Sequence, residues 1–138
     1  MSWQFQLDFK VRDYELDLLG MVNNGIYQGY LEHCRHEFLN SVGLDFAHMH
    51  EKGWRLVVTR AELDYKQILQ SGDRFTVFLN LNRHSKTRFH FEQEIRKTDG
   101  SLVMQAKIIG TSLNERGRPK VPTEIEELFQ NHSPEEPS

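Results

Sequence analysis

The residues best suited to chemistry lie in one stretch, residues 11–38. Within it, Asp17 stands seven residues before Asn24, where an amphipathic helix is predicted to begin. A helix N-terminus carries backbone N–H groups without intrahelical partners and a partial positive charge. A carboxylate beside such donors can attack a carbonyl carbon, or activate water to do so, while the donors stabilise the oxyanion. Asp17 is therefore a candidate nucleophile or general base, and the sequence leaves both roles open.

Neighbouring residues offer competing interpretations of the same stretch. An aspartate before a glycine turn, here Asp17 before Gly20, is usually a local hydrogen-bonding residue. Glu15 is the competing carboxylate, and we assign it a structural or supporting role. Asn23 is typical of a helix cap. Tyr27 favours core packing, although it could line a pocket.

Other catalytic and metal-binding patterns are missing from the sequence. It contains no G-x-S-x-G elbow, no P-loop and no dinucleotide-binding glycine pattern. Cys34 lies on the apolar face of the predicted helix and is interpreted as a small core residue. His33 and His36 lack a third ligand at metal-binding spacing, so surface histidines are the better interpretation and no metal site is predicted.

Length and composition indicate one domain of ordinary size. The 138 residues carry a formal net charge of −3, which argues against a nucleic-acid binder. A single cysteine excludes an internal disulfide and fits a reducing compartment. There is no signal-peptide pattern and no apolar run of about 20 residues that could span a bilayer. We therefore expect a cytoplasmic protein, while a trimmed transit peptide stays open.

The elements that must position Asp17 follow from hydrophobic periodicity. Apolar and polar residues alternate strictly from Trp3 to Arg12, as in a strand with one buried face. An i, i+3, i+4, i+7 pattern predicts a helix from Asn24 to Val42. A loop or a short helical turn is predicted for residues 45–53. A short helix is predicted after Thr123. Four more strands are predicted at residues 55–66, 74–83, 87–96 and 102–113.

This order predicts an α+β domain over residues 1–130, with a flexible tail at residues 131–138. Hairpin-type connections should make the last four strands antiparallel. One long helix cannot cover both faces of five strands, so we expect it on the concave face of a curved sheet. The apolar edge or face that the helix leaves uncovered is expected to contact a partner subunit.

The opening stretch also carries a family resemblance. Its pattern V-R-x-x-E-x-D-x-x-G-x-V-N-N-x-x-Y resembles hotdog-fold thioesterases of the 4-hydroxybenzoyl-CoA thioesterase-like family. It is most similar to single-hotdog acyl-carrier-protein thioesterases of plant plastids and their bacterial relatives. Residues 5–122 are covered, and Glu32, Arg35 and Phe38 fit the usual helix pattern. The residues of the pattern are Val11, Arg12, Glu15, Asp17, Gly20, Val22, Asn23, Asn24 and Tyr27.

The resemblance implies a hotdog fold, in which a long helix packs on a curved five-stranded antiparallel sheet. It implies that Asp17 is the catalytic carboxylate and that the Asn24 amide polarises the thioester carbonyl. It further implies a homodimer or homotetramer with interfacial active sites, and no metal or organic cofactor. Met21 stands where many relatives have histidine, and Asn24 where some have tyrosine or histidine, so a mechanism that uses those side chains does not transfer.

The expected activity is hydrolysis of acyl-CoA or acyl-carrier-protein thioesters. An aryl-CoA thioesterase, acting on 4-hydroxybenzoyl-CoA or 1,4-dihydroxy-2-naphthoyl-CoA, is the alternative, and a non-catalytic acyl-thioester binding or sensing domain is the hypothesis from another class. Tyr27, Thr59 and Tyr65 are candidate substrate-binding residues in the pocket. The basic cluster of Arg83, Lys86 and Arg88 either recognises phosphate or an acidic carrier protein, or is a solvated loop.

Overall fold

The computed structural model describes residues 2–131, and it contains the predicted helix and five strands. A 3-10 turn over Asp13–Glu15 was not predicted. The elements in chain order are β1 (Phe5–Lys10), α1 (Asn24–Ser41), α2 (Phe46–Glu51), β2 (Arg55–Tyr65), β3 (Arg74–Arg83), β4 (Phe89–Lys97), β5 (Leu102–Leu113) and α3 (Thr123–Glu126).

The strands form one sheet in the order β1-β3-β4-β5-β2, and every neighbouring pair is antiparallel. This confirms the predicted α+β architecture. The expectation of hairpins throughout is wrong at one place, because β2 pairs with β5 and lies at the opposite edge from β1. The β2–β3 connection is anchored to the start of α1 instead: the Leu69 N–H donates to the Tyr27 hydroxyl at 2.9 Å, and the Val22 N–H donates to the Leu69 carbonyl.

The core lies between α1 and the concave face of the sheet, where α1 crosses β1 and β3. Leu31 and Cys34 of α1 are fully buried, as are Val77 and Leu79 of β3. Each fully buried aliphatic side chain of this size contributes about 1.5–3 kcal/mol. Burial also raises the pKa of the Cys34 thiol to about 12, so the thiol is protonated at neutral pH. Cys34 is thus a core residue, as predicted.

Strand β2 is an edge strand, and its side chains are mostly exposed. Its register against β5 shifts between Val58 and Arg60, which leaves Thr59 in a bulge. Val58 and Tyr65 keep 56% and 48% of their surface exposed. This edge of the sheet therefore offers both backbone groups and apolar side chains for contact.

The C-terminal residues return to β3. The Gln130 N–H donates to the Leu81 carbonyl, and the Asn131 side chain bonds both the N–H and the carbonyl of Arg83. Asn131, the first residue of the predicted tail, is thus attached to the sheet. Residues 132–138 lie outside the described residues, so the flexible tail stays a prediction for them. Of the helices in residues 2–131, none has the length and hydropathy of a membrane span.

Candidate active site

The Asp17 carboxylate is held by the turn that precedes α1. The turn closes through a 2.8 Å bond from the Asp17 N–H to the Met21 carbonyl, and Gly20 takes the positive φ of 77° that it requires. Asp17 Oδ1 accepts the Leu19 N–H at 2.8 Å and the Met21 N–H at 3.2 Å. Within residues 2–131 the second oxygen, Oδ2, has no hydrogen-bond donor. The turn therefore fixes the carboxylate by one oxygen and leaves the other for chemistry.

The first residue of α1 presents a backbone donor next to this turn. The Asn23 side chain caps the helix by accepting the Gly25 N–H at 3.0 Å, while the Asn23 N–H donates to the Glu15 carbonyl. The Asn23 side chain does not accept the Asn24 N–H, and this N–H has no acceptor in the described part of the chain. The positive end of an 18-residue helix thus carries a free N–H group at Asn24.

Asp17 and Asn24 line one open cleft of about 420 Å³, together with Tyr27 and Tyr65. The Tyr65 hydroxyl donates to the Asn24 carbonyl at 3.4 Å, and the two tyrosine rings meet edge to face with centroids 5.4 Å apart. Tyr27 is otherwise buried, which raises the pKa of its phenol. The cleft therefore combines an anchored carboxylate, a free amide and an aromatic wall. Its remaining residues are Met21, Val22, Lys66, Gln67 and Ile68.

Similarity to known proteins identifies the family of this chain. Residues 11–129 match the model of the thioesterase-like superfamily. The chain belongs to this superfamily. It is also 35% identical over 131 residues to a chloroplastic acyl-acyl carrier protein thioesterase of Arabidopsis thaliana, covering 94% of this chain and 69% of that protein. Membership confirms the hotdog fold and the prediction of a thioester hydrolase.

Solved structures agree with the fold of this thioesterase. A hypothetical protein from Aquifex aeolicus superposes with a TM-score of 0.83 at 31% identity, covering 91% of this chain and 99% of that one. A 1,4-dihydroxy-2-naphthoyl-CoA thioesterase from Synechocystis has a TM-score of 0.80 at 22% identity, covering 87% and 90%. The second likeness concerns the fold alone.

Glu15, the competing carboxylate, does not line the Asp17 cleft. It is 8% exposed, and its Oε1 accepts the Tyr30 hydroxyl and the Arg12 N–H, each at 2.8 Å. Burial, and then the bond to Glu15, raise the pKa of Tyr30 above its ordinary range. Glu15 therefore ties the entry of the turn to α1, which is the structural role that the sequence predicts for it.

Thr59 is not brought to the Asp17 cleft within one chain. It sits in the β2 bulge, where its hydroxyl donates to the Ile109 carbonyl at 3.2 Å. Tyr65 lies six residues further along the strand, about 20 Å away at 3.3 Å per residue. The prediction grouped the two because they share a strand, but only Tyr65 stands at the end of β2 that borders the cleft.

The predicted basic cluster splits in the structure. Arg83 is half-buried, pairs with Glu126, stacks on the Phe129 ring at 5.1 Å and donates to the Ser85 carbonyl. Lys86 and Arg88 are exposed in the β3–β4 hairpin. Arg83 thus binds the C-terminal segment to the sheet. Of the three residues in the predicted cluster, Lys86 and Arg88 are the two with solvent-exposed side chains.

This hairpin lies at the far end of the sheet from Asp17. The register aligns Phe89 with Gly110 and Gly110 with Val58, whereas Tyr65 at the cleft aligns with Met104. In a single chain the hairpin charges are thus separated from the cleft by most of the strand length.

Lys66, Gln67 and Ile68 line the cleft, although none of the three was a predicted site residue. They follow the last residue of β2, where strand periodicity stops. Lys66 directly after Tyr65 was the one available signal, since it adds a cation beside a predicted pocket residue.

Proposed function

We propose that this thioesterase hydrolyses acyl-CoA or acyl-carrier-protein thioesters to the free acid and the thiol. One observation carries the proposal: a carboxylate oxygen of Asp17 and the N–H of Asn24, both without partners in the described chain, line the same cleft. Thioester hydrolysis needs both an attacking group at the carbonyl carbon and a donor at the carbonyl oxygen.

Two mechanisms of hydrolysis are compatible with this arrangement. As a general base, Asp17 takes a proton from water while the hydroxide adds to the carbonyl carbon, and the Asn24 N–H stabilises the oxyanion. Collapse of the tetrahedral intermediate breaks the C–S bond, and the leaving thiolate takes the proton from Asp17. As a nucleophile, Asp17 displaces the thiolate to form a mixed anhydride, which water then hydrolyses.

The acyl-carrier-protein relative favours an acyl substrate. An aryl-CoA substrate is the second candidate, because Tyr27 and Tyr65 form a perpendicular aromatic corner in the cleft, and aromatic rings prefer edge-to-face contacts of this kind. The two candidates share Asp17 and differ only in the pocket.

We further propose that the active enzyme is a homodimer or homotetramer with interfacial active sites. Strand β2 supports this proposal, because it leaves an eleven-residue edge and exposed apolar side chains for a second copy.

A thiol-release assay over a panel of acyl-CoA, aryl-CoA and acyl-carrier-protein thioesters tests the activity. The Asp17→Asn enzyme is the control, because it keeps the side-chain volume and the Oδ1 acceptor. We expect the wild type to turn over thioesters at least about 10²-fold faster than the Asp17→Asn enzyme. Equal turnover by both proteins would remove Asp17 from catalysis, and binding without turnover of any substrate would favour a sensing domain.

Charge reversal tests the role of the exposed hairpin. Lys86→Glu with Arg88→Glu should raise the KM for the preferred carrier without lowering kcat, because exposed cations steer an anionic carrier. An unchanged KM for both coenzyme A and carrier-protein substrates would assign the hairpin to the solvated surface.

A further inference from the structure

The three most exposed large apolar side chains of residues 2–131 lie on the segment that carries Asp17. Their relative exposures are 104% for Leu18, 78% for Leu19 and 76% for Tyr14. Leu18 and Leu19 lie in the turn that follows Asp17, and Tyr14 belongs to the 3-10 turn before it. We call these three residues the turn patch.

Folding of the chain does not account for the turn patch. A leucine stabilises a fold by about 1.5–3 kcal/mol when it is buried, and an exposed leucine contributes almost none of this. None of the three residues belongs to the core cluster or packs against it. The turn itself closes through backbone hydrogen bonds, which polar residues at positions 18 and 19 could form equally well. The apolar side chains are thus available for contact with another molecule.

The turn holds Leu18 and Leu19 in place for such a contact. The Leu19 N–H donates to Asp17 Oδ1 at 2.8 Å, and the Gly20 N–H donates to the Asp17 carbonyl at 3.1 Å. The Asp17 N–H in turn donates to the Met21 carbonyl. A surface that is ordered before binding loses less conformational entropy when a partner binds.

Tyr14 adds an exposed cation to the turn patch. Arg12 Nη1 donates to the Tyr14 hydroxyl at 2.7 Å, and the guanidinium lies 5.9 Å from the centre of the ring. Arg12 forms no salt bridge with any described residue, and Asp13 is the exposed acid next to it in the chain. Chain length alone keeps the Cα atoms of Tyr14 and Leu18 within about 14 Å. Tyrosine and arginine are enriched among the residues that carry most of the binding energy of protein interfaces.

The turn patch adjoins the point of hydrolysis. Leu18 directly follows Asp17. Two further exposed apolar side chains, Tyr65 and Ile68, line the cleft itself. Lys66 between them is an exposed cation without a salt bridge in the part of the chain that the structure describes. Any molecule that delivers a thioester to Asp17 must therefore approach past these side chains.

The two kinds of thioester carrier differ in what they offer to this surface. Coenzyme A presents the thioester on a charged nucleotide. A carrier protein presents it on a pantetheine arm that is attached to a folded surface. Only the carrier protein has side chains that can cover the turn patch while the arm enters the cleft.

We propose that the turn patch is the surface on which an acyl carrier protein docks, so that the thioester of its pantetheine arm reaches the Asp17 cleft. This inference rests on the proposed function and deepens it, because it commits the enzyme to a protein carrier over coenzyme A. Apolar contact at Leu18 and Leu19 supplies the affinity. Arg12 and Lys66 suit a carrier of negative net charge.

A membrane and a second copy of this chain fit the turn patch less well. Recognition of an anionic membrane takes a cluster of about four to eight lysines and arginines, whereas Arg12 and Lys66 are two. A second copy is expected at the edge strand β2, which does not include the turn patch.

Two substrates with the same acyl group separate docking from chemistry. They are decanoyl-acyl carrier protein and decanoyl-coenzyme A, and steady-state kinetics measures kcat/KM for each. The double variant Leu18→Ser with Leu19→Ser removes both apolar side chains and keeps the Leu19 N–H that binds Asp17. We expect its kcat/KM for decanoyl-acyl carrier protein to fall about tenfold or more, and that for decanoyl-coenzyme A to stay within about twofold.

Val42→Ser is the matched control. Val42 is 40% exposed, and it lies at the far end of α1, about 27 Å along the helix from Asn24. It should change kcat/KM for neither substrate. The loss in the double variant should persist in high salt, because salt screens exposed charges and not apolar contacts. A loss that vanished in high salt would assign docking to charged residues instead.

Binding without turnover is measured with an acyl carrier protein whose pantetheine carries an S-decyl thioether. Calorimetry should show a Kd about tenfold or more weaker for the double variant than for the wild type. A wild type that turns over no thioester would defeat the proposed function, and this Kd would still decide whether the turn patch binds the carrier.

Four results would overturn the inference. The first is a wild type that hydrolyses decanoyl-coenzyme A but not decanoyl-acyl carrier protein. The second is an equal loss for both substrates in the double variant, which would make the turn patch part of the acyl-binding site. The third is a changed oligomeric state in light scattering, which would make it a subunit contact. The fourth is binding of the wild type, but not of the double variant, to phosphatidylglycerol vesicles.

Discussion

Two carboxylates stand two residues apart in this thioesterase and lie in contrasting surroundings. Glu15 is buried, and its Oε1 accepts hydrogen bonds from Tyr30 and Arg12. Asp17 is exposed at the cleft and is held through Oδ1 alone. A paired and buried charge mainly supports the structure, whereas an exposed oxygen near a free donor is available for reaction. Their backbone positions alone would not distinguish the two roles.

The largest expected effect separates the two carboxylates by activity. Asp17→Asn should lower kcat by roughly 10²–10⁴-fold, the range for loss of a positioned acid–base group. Its Tm should stay within about 2 °C of the wild type, because Oδ1 still accepts the two backbone N–H groups. Steady-state kinetics and calorimetry on the same sample check both. A large fall in Tm would mean that Asp17 belongs with Glu15 as a structural residue.

Glu15→Ala should give the opposite profile. It leaves the buried Tyr30 hydroxyl without its acceptor, so the free energy of unfolding should fall by about 1–3 kcal/mol. Chemical denaturation measures this loss, and kcat at a temperature where the variant is folded should change little. Glu15→Gln keeps an acceptor oxygen and should lose less stability. A fall in kcat comparable to that of Asp17→Asn would contradict the structural assignment.

Gly20 tests how far the turn positions Asp17. Its φ of 77° is unfavourable for other L-residues, and no atom lies within 4 Å of an added Cβ, so Gly20→Ala should cost about 1–2 kcal/mol of backbone energy alone. Because the turn holds Asp17 Oδ1, kcat should fall as well. Gly29→Ala is the matched control, since Gly29 is helical and equally open. That control should stabilise the protein by up to about 1 kcal/mol and keep kcat.

The smallest expected effect is on the pH dependence of stability, and it acts through Tyr30, the hydrogen-bond partner of Glu15. Because the pKa of Tyr30 is raised in the folded protein, the unfolded chain loses this phenol proton at a lower pH, near the ordinary pKa of 10.0. The stability linked to Tyr30 is therefore complete below pH 10 and falls as pH rises further. Tyr30→Phe should cost about 1 kcal/mol at neutral pH and flatten this alkaline decline. Denaturation from pH 8 to 11 checks both, and an unchanged slope would show that another group controls it.

The fold was largely predictable because the periodic signals are strong. The alternation from Trp3 to Arg12 and the spacing in α1 identified the first strand and the helix, and β3 and β5 begin and end where predicted. The position of β2 was not predictable from local sequence. Its partner β5 is distant in the sequence, and the hydrogen bond that anchors the β2–β3 connection joins Leu69 to Tyr27, 42 residues apart, which no turn motif encodes.

The site was predictable only where its residues share one segment. Asp17, Asn24 and Tyr27 are close in sequence, and the structure places them in one cleft. Lys66 and Ile68 join them from a connection without periodicity. Arg83 was grouped with Lys86 and Arg88 by charge alone, while its partners Glu126 and Phe129 come from the other end of the chain.

The hydrogen bond from Leu69 to Tyr27 bears on the order in which the parts of the enzyme fold. Helix α1 is built from local contacts, but one wall of the cleft comes from residues 65–68, at the end of β2, and β2 pairs with partners in β5 that lie 39 to 58 positions later in the chain. Non-local strand pairing is slow compared with helix formation. We therefore expect a refolding chain to form the helix and its free Asn24 N–H early and to complete the Asp17 cleft late, together with the last sheet edge.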